Sequence, residues 1–156
     1  MTDLKLQEVI MDEIRSMLDS QSLKKMDGSE WKDFNIYRQD KPYKDDEEDE
    51  DQEDYIIVML DDEDLGADNK WKVEVHILIS ICMYDEEHQG NVVLANLMNQ
   101  IFMHFQKKGI IGEMFEMENE AHKRFNQECY PNYYECDLIT AWKLPEIHME
   151  TEGDLI

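Results

Sequence analysis

The sequence predicts an α+β domain, in which an N-terminal helix and a central amphipathic helix pack on a largely antiparallel sheet of four to five strands, in the order α-β-β-β-α-β-β. Three observations predict it. Apolar residues recur at helical spacing in two separate segments, they alternate strictly along one long segment between those two, and no βαβ unit repeats. A chain of 156 residues with one continuous series of such segments reads as a single domain. It is large enough to bury about 68–70% of the surface that its unfolded form exposes.

The first helix covers residues 3–19. Leu4, Leu6, Val9, Ile10, Ile14, Met17 and Leu18 step by three and four, Asp12, Glu13 and Arg15 fall between them, and Thr2 or Asp3 is placed to cap the start. "EWKDFNIYR" reads as the first strand. "QDKPYK" breaks it, because Pro42 has no N–H to give a ladder and restrains the residue before it. Tyr55 to Leu60 is a short apolar strand, and "DDEDLGADNK", with Gly66 and Asn69, turns it into a hairpin.

The next strand carries the clearest pattern in the chain. Trp71, Val73, Val75, Ile77, Ile79, Ile81 and Met83 share one face, and Lys72, Glu74, His76, Leu78, Ser80, Cys82 and Tyr84 share the other. Fourteen such residues at ~3.3 Å each reach ~45 Å, past the usual strand length, so this strand is expected to bend or to project toward a neighbouring subunit. "YDEEHQGN" then leads into the second helix, with Gly90 in the turn, Asn91 at the N-cap, and Leu94, Leu97, Met98, Ile101, Phe102 and Phe105 as the buried stripe. Lys107 and Lys108 suit the helix C-terminus, and Gly109 closes it. "EMFEMEN" reads as a short edge strand, "AHKRFNQECYPNYY" as an aromatic loop, and "ECDLITAWKL" as a last strand ended by Pro145. The acidic tail, 148–156, is expected to fray.

Charge excludes some functions. Lys and Arg number 15 against 38 Asp and Glu, for a net charge of −23 and a pI near 4.3, so tight binding to a phosphate backbone is electrostatically disfavoured. Cys82, Cys129 and Cys136 are an odd number without CxxC spacing, which fits buried or half-buried thiols in a reducing compartment. The N-terminus "MTDLKLQEVIMDEI" lacks the apolar core of a signal peptide, and no run approaches the ~18 apolar residues of a membrane span. The expectation is a protein made and kept soluble in a cytoplasm, with no membrane partner.

The most acidic stretch, "DDEEDEDQED", comprises Asp45, Asp46, Glu47, Glu48, Asp49, Glu50, Asp51, Glu53 and Asp54 around a single Gln. Calcium loops alternate their oxygens around a Gly that permits a sharp turn, and neither feature is present here. Repulsion at this density favours a solvated loop held out from the fold. The five histidines are scattered without HExxH-like spacing, there is no GxSxG or phosphate-cradling Gly loop, and Gly number only 6. The residues therefore call for no catalytic group, metal site or cofactor, and a non-enzyme is expected. "YPNYYE" is the most conspicuous aromatic cluster and reads equally as packing and as a contact surface. Trp71, Tyr130, Tyr133 and Tyr134 are the candidate interface residues.

"VEVHILISICMYDEEHQGNVVLANLMNQIFMHF", "KKGIIGEMFEMENE" and "YPNYYECDLITAWKLPEI" together resemble the tail terminator and tail completion proteins of long-tailed bacteriophages and prophages, also called head-tail joining or neck proteins. The likeness covers about Tyr55 to Ile147. It lies in the order of a long apolar strand, an acidic turn with "QG", an amphipathic helix, an aromatic "YPxY" and a strand ending in "W" and "P". Asn91-Val92 departs from the aromatic or Arg followed by Asp common there, and the acidic stretch is unusually long.

The resemblance implies a virion structural protein without catalytic residues, assembled in the host cytoplasm. It implies a ring, expected to be a hexamer, that docks on the tail tube protein, stops its growth and meets the head connector or neck protein, with DNA only in passage. The acidic stretch would face the bore or the docking surface, where carboxylates repel passing DNA. Whether the chain ends the tail, joins the head or does both stays open. A competing class is an acidic DNA mimic that occupies a DNA-binding enzyme, although carboxylates concentrated in one segment lack phosphate-like spacing. A metal-dependent hydrolase is the least favoured reading.

Overall fold

The computed structural model describes residues 2–20, 22–25, 27–31, 34–42, 53–83, 89–127 and 132–146. Helix α1, Asp3–Asp19, starts where Thr2 accepts a hydrogen bond from the Lys5 N–H at 3.2 Å, and it buries Leu6, Ile10, Ile14 and Met17. There follow β1 (Asn35–Arg38), β2 (Tyr55–Leu65), β3 (Trp71–Cys82), α2 (Gly90–Lys108), β4 (Ile110–Ile111), β5 (Phe115–Asn126) and β6 (Tyr133–Lys143). The class is α+β. The sheet has six strands in the order β1-β2-β3-β6-β5-β4, more than the four to five expected. It is also mixed, because β1 runs parallel to β2 while every other neighbouring pair is antiparallel. The connection from Arg38 to Tyr55 exceeds the dozen residues that a parallel crossover needs.

The long strand does not project from the domain. β3 pairs with β6 from Lys72 to Cys82 without a register shift and with β2 on its other side, so it is the centre of the sheet. Its neighbours carry the irregularities instead. β2 shifts register between Leu60 and Glu63, opposite Val75 and Val73, and β5 shifts between Met117 and Ala121, across from Trp142 and Thr140. Those four partners lie at one level, because Val73 pairs with Trp142 and Val75 with Thr140, so extra residues on both flanks bend the sheet at the same height.

The expected loop at 121–134 is corrected over its first part, since β5 continues through Asn126 and pairs with β6 as far as Glu135. Its residues from Glu118 on are mostly exposed on both faces, so no apolar period marks them as a strand.

Both helices join one face of the sheet. Val73, Val75, Ile77, Ile79 and Ile81 of β3, Ile56 and Val58 of β2, and Leu138 and Trp142 of β6 form one buried cluster with Ile10 and Ile14 of α1 and Leu97, Ile101 and Phe105 of α2. Trp142 meets Phe105 edge-on at 5.6 Å, and its Nε1 donates to Thr140 Oγ1, which donates to the Val75 carbonyl. The large indole is thereby buried without an orphaned donor.

The start of α2 differs from expectation. Gln89, not Asn91, is the N-cap and makes no side-chain cap bond. Gly90 is the first helical residue, lying so close under Tyr134 that a Cβ there would sit 2.1 Å from the ring. Close approach explains this glycine. Gly109 closes the helix at φ +68°, and its N–H reaches the Phe105 carbonyl. No helix among the described residues is long and apolar enough to cross a membrane.

Candidate functional site

Asp45, Asp46, Glu47, Glu48, Asp49, Glu50 and Asp51 lie outside the described residues, but the segment's far end is built into the β1 edge. Glu53 accepts hydrogen bonds from Asn35 Nδ2 (2.5 Å), the Tyr37 hydroxyl (2.9 Å) and Lys41 Nζ (2.6 Å). Burial alone would raise its pKa. The three donors outweigh that and hold it below the usual carboxylate range. Asp54 accepts from the Cys82 N–H at 2.9 Å, and its carbonyl accepts from the Asn35 N–H. Lys41 also lies over the Tyr55 ring, 4.3 Å from its centroid. Lys41 and Glu53 therefore meet beside β1 at the sheet edge.

A second polar centre occupies the sheet face away from the helices. Residues two apart on a strand share a face, so Glu74 and His76 project together from β3. The β2 register shift brings Asp61 alongside, and β6 contributes Asp137. His76 Nδ1 lies 2.6 Å from Asp137 Oδ2, and Nε2 lies 2.9 Å from both Glu74 Oε1 and Asp61 Oδ2. Burial by itself lowers the His76 pKa, yet the hydrogen bonds of Asp137 and Glu74 and the charges of Asp137 and Asp61 prevail and raise it. Three carboxylates hold the ring and favour its protonated form.

On the helix side of the sheet, opposite Ile79, Cys136 is pushed up to about 12 by burial and by Asp137 and Glu135, so its thiol is unreactive. Asp61, Glu74 and His76 offer three ligand atoms within 4.8 Å of one another. They would hold a divalent cation only after Nε2 lost its proton, with Asp137 orienting the ring through Nδ1. An open cleft of about 440 Å³ adjoins them, lined by Asp62, Asp64, Lys72, Glu120 and His122 among others. The arrangement is chemically suited to holding positive charge.

Sequence reasoning assigned His76 no role. Only the spacing of Glu74 and His76 signalled the centre, since Asp61 and Asp137 come from other strands. His104 is similarly engaged, with Nε2 2.7 Å from Glu13 Oε1. Glu13 also pairs with Lys108, and although burial raises its pKa these partners bring it below the usual range. His122 is exposed, and His88 and His148 lie outside the described residues. The candidate interface aromatics are not gathered into one patch. Trp71 opens β3 at one end of the sheet, Tyr133 and Tyr134 open β6 opposite Cys82 and Ile81 at the other, and Tyr130 is outside the described residues.

No known protein-family model matches the chain, and no curated protein matches it.

Proposed function

We propose that this chain is a phage or prophage structural protein that forms a ring at the head-proximal end of the tail tube. The ring ends tube growth and joins the tail to the head connector while DNA passes through. One observation carries the reading: the three segments that resemble tail terminator proteins fold as consecutive, mutually packed elements, β3, then α2, then β4 with β5, then β6. Glu53, near the end of the exceptional acidic stretch, is tied to Lys41 beside β1 at the edge of the sheet, in keeping with a loop presented to the bore or to a docking surface.

The direct test adds purified protein to tail tubes polymerising in vitro and images them. Tubes of limited length, each capped at one end by the protein, are expected. Tubes that grow without limit and carry no cap would sink the reading. If the same preparation instead captured a DNA-binding enzyme and released it as salt rose, the DNA-mimic alternative would take its place.

A further inference from the structure

The sheet ends in two unlike edges. On one side β1 covers β2 only from Tyr55 to Val58, and on the other β4 covers β5 only at Phe115 and Glu116. The register can be followed across all the strands between. Asn35, Tyr55, Ser80, Glu135 and Asn126 share one rung, and Arg38, Val58, Ile77, Leu138 and Lys123 share the rung three residues further along. Among the described residues, β1 thus occupies on one edge the same rungs that β5, at Lys123–Asn126, leaves open on the other. β4 sits on a different level, that of Glu116, Lys143, Lys72 and Asp64. When two copies stand side by side in the same orientation, β1 of one and β4 of the other fit into a single column without colliding.

We propose that copies of this chain join head to tail by strand addition, with β1 of one copy pairing antiparallel to the open half of β5 of the next. In that register Asn35 meets Asn126, Ile36 meets Phe125, Tyr37 meets Arg124 and Arg38 meets Lys123. The side chains suit it. Ile36 and Phe125 are both half-buried on the helix side and extend the core across the seam. On the other face Arg124 is exposed and forms no ion pair with another described residue, and the seam sets it beside Tyr37 and the Glu53 carboxylate bonded to it. Arg38 and Lys123 meet on one rung as like charges, each drawn toward the helices of its own copy, Arg38 by Gln7 and the Leu4 carbonyl and Lys123 by Asn99.

Charge names the occupant as a second copy in this orientation. His122-Lys123-Arg124 is the longest run of basic residues in a chain of net charge −23. The seam lays it against the edge that carries Tyr37 and the Glu53 carboxylate, itself paired with Lys41, whereas pairing β5 with another β5 would set the basic runs against each other. Unlike edges make a heterologous contact, which closes into a ring when the rotation permits. The proposal rests on the ring reading and supplies its joint.

The test uses the full chain, with Cys82 and Cys129 replaced by Ser, and native mass spectrometry over a concentration series with and without tail tubes. Copies bearing Ile36→Cys are mixed with copies bearing Phe125→Cys and oxidised. A disulfide-linked dimer is expected from the mixture and not from either variant alone. Arg124→Glu is expected to raise the concentration needed for ring formation by on the order of tenfold or more, with its melting temperature unchanged. A wild-type ring with no cross-link and an indifferent Arg124→Glu would overturn the seam and leave the ring standing. A wild-type chain that stays monomeric even beside tail tubes would overturn both.

Discussion

The two faces of β3 hold the protein together by different means. Toward the helices, Val73, Val75, Ile77, Ile79 and Ile81 are buried in a continuous apolar layer, and stability there scales with area removed from water. Toward the other side stand Lys72, Glu74, His76 and Leu78, each half-buried. That face is organised by the carboxylates around His76 and by the ion pair of Lys72 with Glu120, 2.7 Å apart but largely in solvent and correspondingly weak. One strand therefore carries an insulated face and a face whose contribution depends on its protons and on what approaches it.

Truncating adjacent residues on opposite faces of β3 separates the two contributions. Ile77→Ala removes a fully buried side chain and is expected to cost about 2–5 kcal/mol in urea unfolding. Leu78→Ala, half-buried on the other face, should cost about 1–2 kcal/mol, in proportion to the smaller area it loses. Equal costs for the two would mean that the second face is covered in solution.

A smaller effect belongs to the junction of α2 and β6. Replacing a helical glycine by alanine ordinarily gains up to about 1 kcal/mol, but at Gly90 the new methyl would meet Tyr134. Gly90→Ala should destabilise by about 1–3 kcal/mol. Adding Tyr134→Ala should recover part of that loss, giving less than the sum of the two single changes. Additive costs would show that the ring is free to move aside.

The insulated face was readable in the sequence because its signal is periodic. Strict alternation in β3 and three-to-four spacing in both helices follow from having one buried side, and most residues that satisfy the spacing are buried, although Leu4 is exposed and Val9, Leu18 and Phe102 are half-buried. The second half of β5, after the short edge strand read at "EMFEMEN", escaped notice for the opposite reason: with little to bury it has no period, and its strand state depends on the pairing edge of β6. The strand at β1 was legible in "EWKDFNIYR", but its parallel direction was hidden, since strand direction is set by where the crossover travels and leaves no mark in composition. The link between α1 and the β1 edge could not be read either. It runs from the buried Gln7 to the Val58 carbonyl and to Gln39, whose side chain bonds both the N–H and the C=O of Leu60. A lone Gln on an apolar helix face names none of those partners. The His76 centre combines the two cases, with one local pair in view and two partners supplied by topology.

The proton-dependent face leads to the last and smallest effect, and its sign can be worked out. His76 is raised above 6.5 in the folded chain, so its contribution is complete below that value and is lost as pH rises through the higher folded one. Glu63 acts in the same sense: burial, followed by the hydrogen bond and charge of Asp3, raises it from 4.5 to about 7, so its contribution also disappears as pH rises through about 7. Glu53 and Glu13 run the other way, being lowered from 4.5, and their contributions are lost only in acid. The melting temperature should therefore be highest near pH 5 and fall steadily to pH 8. His76→Gln should flatten the upper part of that fall and Glu63→Gln the lower part. An unchanged slope in both variants would show that neither group carries it. The cost of Ile77→Ala should be the same at pH 5 and pH 8, whereas the cost of His76→Gln, which leaves Asp61, Glu74 and Asp137 facing one another without a cation, should decrease as pH rises through the raised His76 value, where the wild-type ring gives up the same charge.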